Sequence, residues 1–359
     1  MLIGIDASRA NQEQKTGVGW YAYHLLQELK KITPEDIRVV LYSDKPLQGD
    51  LAELPPNWSV KILAWPPKRL WTQIRLSWEM LWHGPDVLFI PAHVFPLIHP
   101  KKTVMTVHDV AASKFPKSYN WFERWYSLWS AKYAVRKLWQ VIVPSEFTKK
   151  ELGSDKIKVI AHGYDKRYGK IENVVDGILQ KYNLAKPYIM SLGRLEEKKN
   201  TKRIIEAFNL IRQNLEIKLL LVGMHGYGYN EVKVAIDCSP YKNDIITPGW
   251  AVEADIPALM SAAEVFVFPS LYEGFGLPVL EAMACGTAVV ASRGSSLEEV
   301  GGGAVIYVDS DKVEEISHAV LDLLQKEDLC MLKIKQGYER IWQFSWKKSA
   351  QETLQVLLT

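Results

Sequence analysis

Two carboxylates, Glu273 and Glu281, bracket a glycine-rich loop in the segment Val265-Phe-Val-Phe-Pro-Ser-Leu-Tyr-Glu273-Gly-Phe-Gly-Leu-Pro278-Val-Leu-Glu281-Ala-Met-Ala-Cys-Gly286. A carboxylate accepts several hydrogen bonds and so suits a hydroxyl-rich ligand. The glycines let backbone approach a ligand closely. The N–H groups of the loop and of the helix that opens near Pro278 make a site for a phosphate or for sugar hydroxyls. An isolated pair of Glu eight apart is more often a capped helix with solvated acids. Gly-x-Gly-x-Pro between a strand and a helix shifts the reading to a ligand site.

Other reactive groups stand after apolar runs. Ser191-Leu-Gly193-Arg194-Leu-Glu-Glu-Lys198-Lys199-Asn200 has a Gly and two cations ahead of a helical segment. It reads as a diphosphate clamp, Arg194 binding bidentately and Lys199 as a point charge, against a merely solvated basic loop. His108-Asp109 follows Thr103–Val107; the ring either ties to a backbone carbonyl or faces a ligand, and Asp109 orients the loop. Thr16-Gly17-Val-Gly19-Trp-Tyr-Ala22 fits the dinucleotide fingerprint, with Asp44 at a plausible later position. The first Gly of that fingerprint should follow its strand directly, and about ten residues separate Asp6 from Gly17, which disfavours a nicotinamide oxidoreductase. Gly249-Trp250 offers an indole that either stacks on a base or packs internally. Val222-Gly223 is a weaker nucleotide candidate. Cys238, Cys285 and Cys330 form no CxxC pair, so neither a zinc site nor a disulfide framework is expected.

These residues need strands to position them. Leu2–Asp6, Val39–Tyr42, Val87–Ile90, Val104–Val107 and Val141–Pro144 read as buried parallel strands, with Gly19–Lys31 helical. A second series comprises Tyr188–Leu192, Leu219–Val222, Val265–Pro269, Ala288–Ala291 and Val305–Tyr307, with helices at Ile204–Gln213, Val279–Ala284 and Val313–Gln325. The expectation is α/β: two Rossmann-like, doubly wound domains, meeting between Asp165 and Pro187, with ligands beyond the strands' carboxyl ends and an interdomain cleft.

With 359 residues, two cores are the natural expectation. No apolar run reaches the ~20 residues of a membrane-spanning helix, and the start does not read as a signal peptide, so a cytoplasmic location is expected. The net charge is +3, yet 66–150 holds 13 Lys and Arg against 5 Asp and Glu, which leaves the rest net negative. Trp71, Arg75, Trp78 and Trp82 recur there at helical spacing, as do Trp121, Trp125 and Trp129 near Arg124, Lys132, Arg136 and Lys137. We expect most of these Trp to pack on the sheet while the cations are solvated. The competing reading is a peripheral membrane patch that steers a lipid-linked or anionic acceptor. No nucleic-acid module is recognisable.

The string Glu273-Gly-Phe-Gly-Leu-Pro-Val-Leu-Glu281 resembles the E-x7-E signature of retaining family-4 glycosyltransferases (glycosyl transferases group 1), which have the GT-B fold. Ala282-Met-Ala-Cys-Gly286 and Ser292-Arg-Gly-Ser-Ser-Leu-Glu-Glu-Val300 resemble the same family. The resemblance extends over essentially the whole chain. It implies an acceptor-side domain over 1–170, completed by a helix at about 345–359 after Phe344-Ser-Trp346, and a nucleotide-sugar-binding domain over 171–344. It assigns phosphate binding to Arg194 and Lys199, the donor sugar to His108 and Glu273, and the ribose to Glu281. Backbone N–H groups of Phe275, Gly276 and Leu277 would hold sugar or phosphate oxygens. Gly17 and Gly19 would lie near the donor phosphates and the acceptor, and Gly249 and Trp250 near the base. His162-Gly-Tyr-Asp165 resembles the family's Asn-Gly-Val-Asp turn with His in place of Asn, and no chemistry is assigned to it. The resemblance further implies transfer with retention and without metal or cofactor, in agreement with the absence of a convincing Asp-x-Asp metal motif. The Gly4-Ile-Asp-Ala-Ser-Arg9 start is similar to bacterial mannosyltransferases of surface polysaccharides, which points to GDP-mannose. A UDP-sugar donor and a non-catalytic nucleotide-sugar-binding protein are the alternatives. Partners would be the donor and a glycan or lipid-linked acceptor, with contact at the inner face of the membrane as a further expectation and no nucleic acid.

Overall fold

The computed structural model describes residues 1–67, 70–171 and 175–359. Lys68 and Arg69, counted in the basic stretch, and 172–174, within the expected boundary region, lie outside the described residues. The chain divides into two compact units, Met1–Gly163 with Phe344–Thr359, and Tyr164–Gln343. The first residues of the second unit are anchored there: the Ile171 N–H donates to Ser261 Oγ at 3.1 Å, and Ser261 Oγ donates to the Gly169 carbonyl at 3.1 Å.

Unit 1 holds a seven-stranded parallel sheet in the order β3-β2-β1-β4-β5-β6-β7. The strands are β1 (Leu2–Asp6), β2 (Arg38–Ser43), β3 (Trp58–Ile62), β4 (Val87–Ile90), β5 (Lys102–Thr106), β6 (Gln140–Val143) and β7 (Ile157–Val159). Unit 2 holds a six-stranded parallel sheet in the order β10-β9-β8-β11-β12-β13. Its strands are β8 (Tyr188–Leu192), β9 (Lys218–Val222), β10 (Ile245–Gly249), β11 (Val265–Phe268), β12 (Ala288–Ser292) and β13 (Val305–Val308). Both sheets reverse direction of build beside their first strand, between β1 and β4 and between β8 and β11. Such switch points leave a crevice at the strands' carboxyl ends.

Six helices matter below: α1 (Gly17–Ile32), α2 (Ser77–His83), α3 (Trp121–Lys137), α4 (Thr201–Arg212), α5 (Leu277–Ala284) and α6 (Trp346–Leu358). In unit 2, Ile204, Ile205, Phe208 and Ile211 of α4 pack on Ile189, Leu219, Leu221, Val265 and Val267 of the strands. The apolar spacing of α4 follows the 3.6-residue period and the strands are buried runs, so one face of the sheet is sealed. In unit 1, Leu76, Met80, Ala134 and Leu138 cover Leu88, Ile90, Met105 and Val141. The C-terminal helix α6 belongs to unit 1: Trp346 stacks on His24 of α1 at 5.3 Å and on His162 at 5.7 Å. A Cβ at Gly163 would meet the Trp346 backbone N at 2.1 Å, so the His162-Gly163 turn serves this crossing.

The expectation that most of the Trp pack on the sheet is corrected. Trp71 is buried and its indole N–H donates to the Leu63 carbonyl at 2.8 Å, and Trp129 packs on Phe95. Trp78, Trp82, Trp121 and Trp125 are instead 63, 66, 80 and 54 % exposed. The cause is local. α2 has seven residues and buries only Ser77, Glu79 and Met80. α3 carries aromatic residues around its circumference, and the side that meets the sheet through Tyr126, Ser130 and Ala134 excludes Trp121 and Trp125.

Candidate functional site

Unit 2 gathers its reactive groups at the β8/β11 switch point. β8 ends into Gly193-Arg194, and β11 ends into the loop from Pro269 to Gly276. Because these strands are neighbours, Lys199 and Glu273, 74 residues apart, meet: Lys199 Nζ lies 2.5 Å from Glu273 Oε1. Lys199 also lies over the Phe268 ring, 4.8 Å from its centroid. The lysine stem passes Gly193 so closely that a Cβ there would lie 3.3 Å from Lys199 Cε. Both partners are partly buried, so the pair is less screened than a surface pair. Each presents its charge without leaving the other uncompensated.

Backbone stitching holds the two loops together. The Leu271 N–H donates to the Lys198 carbonyl at 2.9 Å. Asn200, in the left-handed region at φ 58°, donates from Nδ2 to the carbonyls of Pro269 at 3.1 Å and Ser310 at 2.7 Å. Ser296 Oγ shares its proton between the carbonyls of Glu273 at 2.8 Å and Phe275 at 3.0 Å. Asn200 and Ser296 were not singled out from the sequence. Hydroxyl and amide groups that fasten loops carry no spacing signal of their own, although Ser296 lies in one of the strings quoted for the resemblance.

The loop turns into α5 at Gly276, which has φ 111° and is buried. A Cβ there would meet Leu297 Cδ2 at 2.4 Å, so glycine is required both by backbone and by space. Pro278 occupies the first turn of α5, where the N–H groups have no intrahelical acceptor. The N-terminal end of α5 thus adds partial positive charge beside the Glu273 loop.

Glu281 keeps different company. Its carboxyl, only partly accessible, is pushed up to about 8, first by burial and then by Glu253 and Asp165, against the opposing pull of Arg167. Near neutral pH it is therefore largely protonated and can both donate and accept a hydrogen bond. Tyr168 is buried beside it, and its hydroxyl is pushed up by burial and by Glu281. Arg194 is exposed and its Nε lies 3.3 Å from Glu196 Oε2. Gly223 closes the β9 end: at φ 149°, a Cβ would meet the Gly193 carbonyl at 1.9 Å. Gly249 ends β10 at φ 74°, and Trp250 is 48 % exposed.

In unit 1, His108 lies just past β5. Its Nε2 donates to the Pro91 carbonyl at 3.1 Å, which leaves Nδ1 as acceptor. Burial, and His93 after it, push the ring down to about 3, so it stays neutral. Tyr21 packs edge-on against it at 4.6 Å. Gly17 opens α1 in open space, and Gly19 lies under the Arg9 carbonyl, 3.1 Å from where a Cβ would stand. A cavity of about 880 Å³ sits at the β1/β4 switch point, lined by Arg9, Asp44, Lys45, Val94, Trp121 and Phe122 among others. Ten residues, 7–16, separate β1 from α1, so no tight dinucleotide-type turn joins them.

Among the described residues no His, Cys, Asp and Glu group of three or more has metal-holding geometry, and no helix is long and apolar enough to cross a membrane. The three cysteines are free thiols.

Two family models match, Glycosyltransferase Family 4 over residues 15–168 and Glycosyl transferases group 1 over 178–340. A similar relative is the O-antigen chain mannosyltransferase B of Escherichia coli. It is 28 % identical over 302 residues, spanning 81 % of this chain and 77 % of that protein. The fold is similar to sucrose-phosphate synthase from Thermosynechococcus elongatus (TM-score 0.78, 19 % identity, 99 % of this chain and 98 % of that one). It is likewise similar to Anabaena HepE in complex with UDP and glucose (TM-score 0.75, 18 % identity, 100 % and 99 %). The matched segments join the switch-point loops, the Glu273–Glu281 segment and the two parallel sheets in one assignment: the chain belongs to the group 1, family 4 glycosyltransferases of the GT-B fold.

Proposed function

We propose that this glycosyltransferase moves mannose from GDP-mannose to a hydroxyl of a growing surface polysaccharide, with retention of anomeric configuration. The observation that carries the proposal is the Lys199–Glu273 pair at the β8/β11 switch point, beside the N-terminus of α5. Mannose is favoured because the relative that spans most of this chain is an O-antigen chain mannosyltransferase.

In this reading Lys199, Arg194 and the α5 N-terminus take the charge that grows on the departing diphosphate. Lys199 and the α5 N-terminus are held in place before the bond breaks, which is where electrostatic stabilisation is most effective. Glu273 accepts hydrogen bonds from sugar hydroxyls while staying paired with Lys199. Backbone N–H groups of Phe275, Gly276 and Leu277 hold sugar or phosphate oxygens. Glu281 holds the ribose, and Gly249 and Trp250 flank the base. His108 offers Nδ1 to a sugar hydroxyl as a neutral acceptor, and Gly17 and Gly19 let the α1 start approach the phosphates. The departing phosphate takes the acceptor's proton, so no separate base, metal or cofactor is called for. The unit 1 cavity receives the acceptor: Arg9, Asp44 and Lys45 suit its hydroxyls, and Trp121 and Phe122 suit the apolar faces of sugar rings.

A second reading, a UDP-sugar donor, is favoured by the similarity to a fold neighbour solved with UDP and glucose. Incubation with GDP-mannose or UDP-glucose, with nucleoside diphosphate release and product anomers followed by NMR, separates the two. Turnover of UDP-glucose with none of GDP-mannose, or an inverted product, would overturn the proposal.

A further inference from the structure

Twenty-three large apolar side chains of the described residues are exposed, and ten of them fall between Leu70 and Trp125. Four of the seven exposed tryptophans, Trp78, Trp82, Trp121 and Trp125, are in this stretch. Scattered apolar residues need no explanation, but a cluster of indoles does. The elements that carry them are joined. Ser77 of α2 accepts from the Ile98 N–H at 3.3 Å, and the loop before Ile98 packs Phe95 against Trp129 of α3 at 5.6 Å. The Tyr126 hydroxyl of α3 donates to the Phe95 carbonyl at 3.3 Å. The segments that carry Trp78, Leu81 and Trp82, the exposed Leu97 and Ile98, and Trp121, Phe122 and Trp125 are therefore tied together within unit 1.

The charge on the same region is mainly positive, with Glu123 in the first turn of α3 as an exposed acid among the cations. At 100° per residue, positions 121, 125, 132 and 136 fall on a stripe of α3 about 60° wide. The stripe carries Trp121 and Trp125 at its start and Lys132 and Arg136 at its end, all exposed. Arg124 and Lys137 are exposed on the same helix, and none of these four cations has an ion-pair partner among the described residues. The one acid of α2, Glu79, is buried and already faces Lys61, Arg75 and His83. Indoles beside unneutralised cations match the boundary of a bilayer with anionic headgroups, where a ring sits at headgroup depth and Lys and Arg reach the surface charge.

We infer that this face of unit 1 seats on an anionic lipid bilayer. Leu70, Trp121 and Phe122 belong both to the face and to the wall of the 880 Å³ cavity. The acceptor, on the transfer reading above, is thereby a lipid-anchored glycan whose head enters the cavity from the surface that holds the enzyme.

The test is flotation of the full chain with phosphatidylcholine vesicles, with and without about 30 % phosphatidylglycerol, at low and at 0.5 M salt. Neither donor nor turnover is involved, so its outcome is independent of the transfer reading. We expect flotation only with anionic vesicles, reduced at high salt. A Trp78→Ser, Trp82→Ser, Trp125→Ser variant and a Lys132→Glu, Arg136→Glu variant should each partition at least tenfold less, with unchanged melting temperature. These five residues lie outside the cavity wall. Recovery of the wild type in the soluble fraction at low salt would overturn the inference. So would unchanged flotation of both variants, or a wild-type dimer that the tryptophan substitutions dissociate, which would make a second copy the occupant of this face.

Discussion

Replacing Glu281 by Gln tests whether the acid at the fifth position of α5 is held protonated by its surroundings. Its carboxyl is raised from 4.5 to about 8, mainly by burial and then by Glu253 and Asp165. The folded state thus binds this proton more tightly than the unfolded state. Stability from this group is complete below pH ~4.5, falls as pH rises, and levels off above pH ~8. At about 1.4 kcal/mol per tenfold, full ionisation costs on the order of 5 kcal/mol, and about 4 of that falls between pH 5 and pH 9. Because the residue is partly accessible, 2–4 kcal/mol is the working expectation over that range. Gln keeps the shape and the hydrogen bonding and cannot ionise. The variant's melting temperature should therefore gain on the wild type by roughly 5–15 °C between pH 5 and pH 9, using about 2–4 °C per kcal/mol for a unit of this size. Differential scanning calorimetry of both proteins across that range reads this directly. Asp165→Asn and Glu253→Gln should each shrink the divergence. Melting curves that stay parallel within about 1 °C would refute the reasoning.

Further outcomes follow from the same geometry. Glu273→Ala and Lys199→Ala should each lower transfer by about 10²–10³-fold, measured as nucleoside diphosphate release, with the melting temperature held within a few degrees; near-normal turnover of Glu273→Ala would sink the site assignment. Ser296→Ala frees the carbonyls of Glu273 and Phe275 from one hydroxyl, so it should cost about 1 kcal/mol in urea unfolding and reduce turnover without abolishing it. Gly276→Ala forces a Cβ against Leu297 in a left-handed backbone, so unit 2 should lose about 1–3 kcal/mol, and donor binding should weaken with it. His108, neutral above pH ~4, should leave no titration in the transfer profile between pH 5 and 8, and His108→Gln should change the rate without moving that profile.

The strands that build both switch points were legible because they are continuous apolar runs buried on both faces. β3 and β7 were not: Trp-Ser-Val-Lys-Ile and Ile-Lys-Val lie at the sheet's edges, where short, half-polar sequence suffices. α3 shows why a helical spacing of Trp does not reveal which side is covered. With aromatic residues all round, the buried face is set by where Phe95 and the sheet lie rather than by periodicity. At the site, Glu273, Glu281, Arg194 and Lys199 stood out because charged groups follow predicted strands. That Lys199 rather than Lys198 meets Glu273 depends on the adjacency of β8 and β11 and on the room left by Gly193, which spacing along the chain does not encode. The elevation of Glu281 was likewise hidden, because Asp165 and Glu253 reach it from distant segments.

Isothermal titration of GDP-mannose into the wild type and into Lys199→Ala tests the account most directly. Saturable one-to-one binding, displaced by GDP and weakened at least tenfold by the substitution, is the predicted result. Absence of GDP-mannose binding in a folded wild type, or binding that Lys199→Ala leaves unchanged, would contradict it.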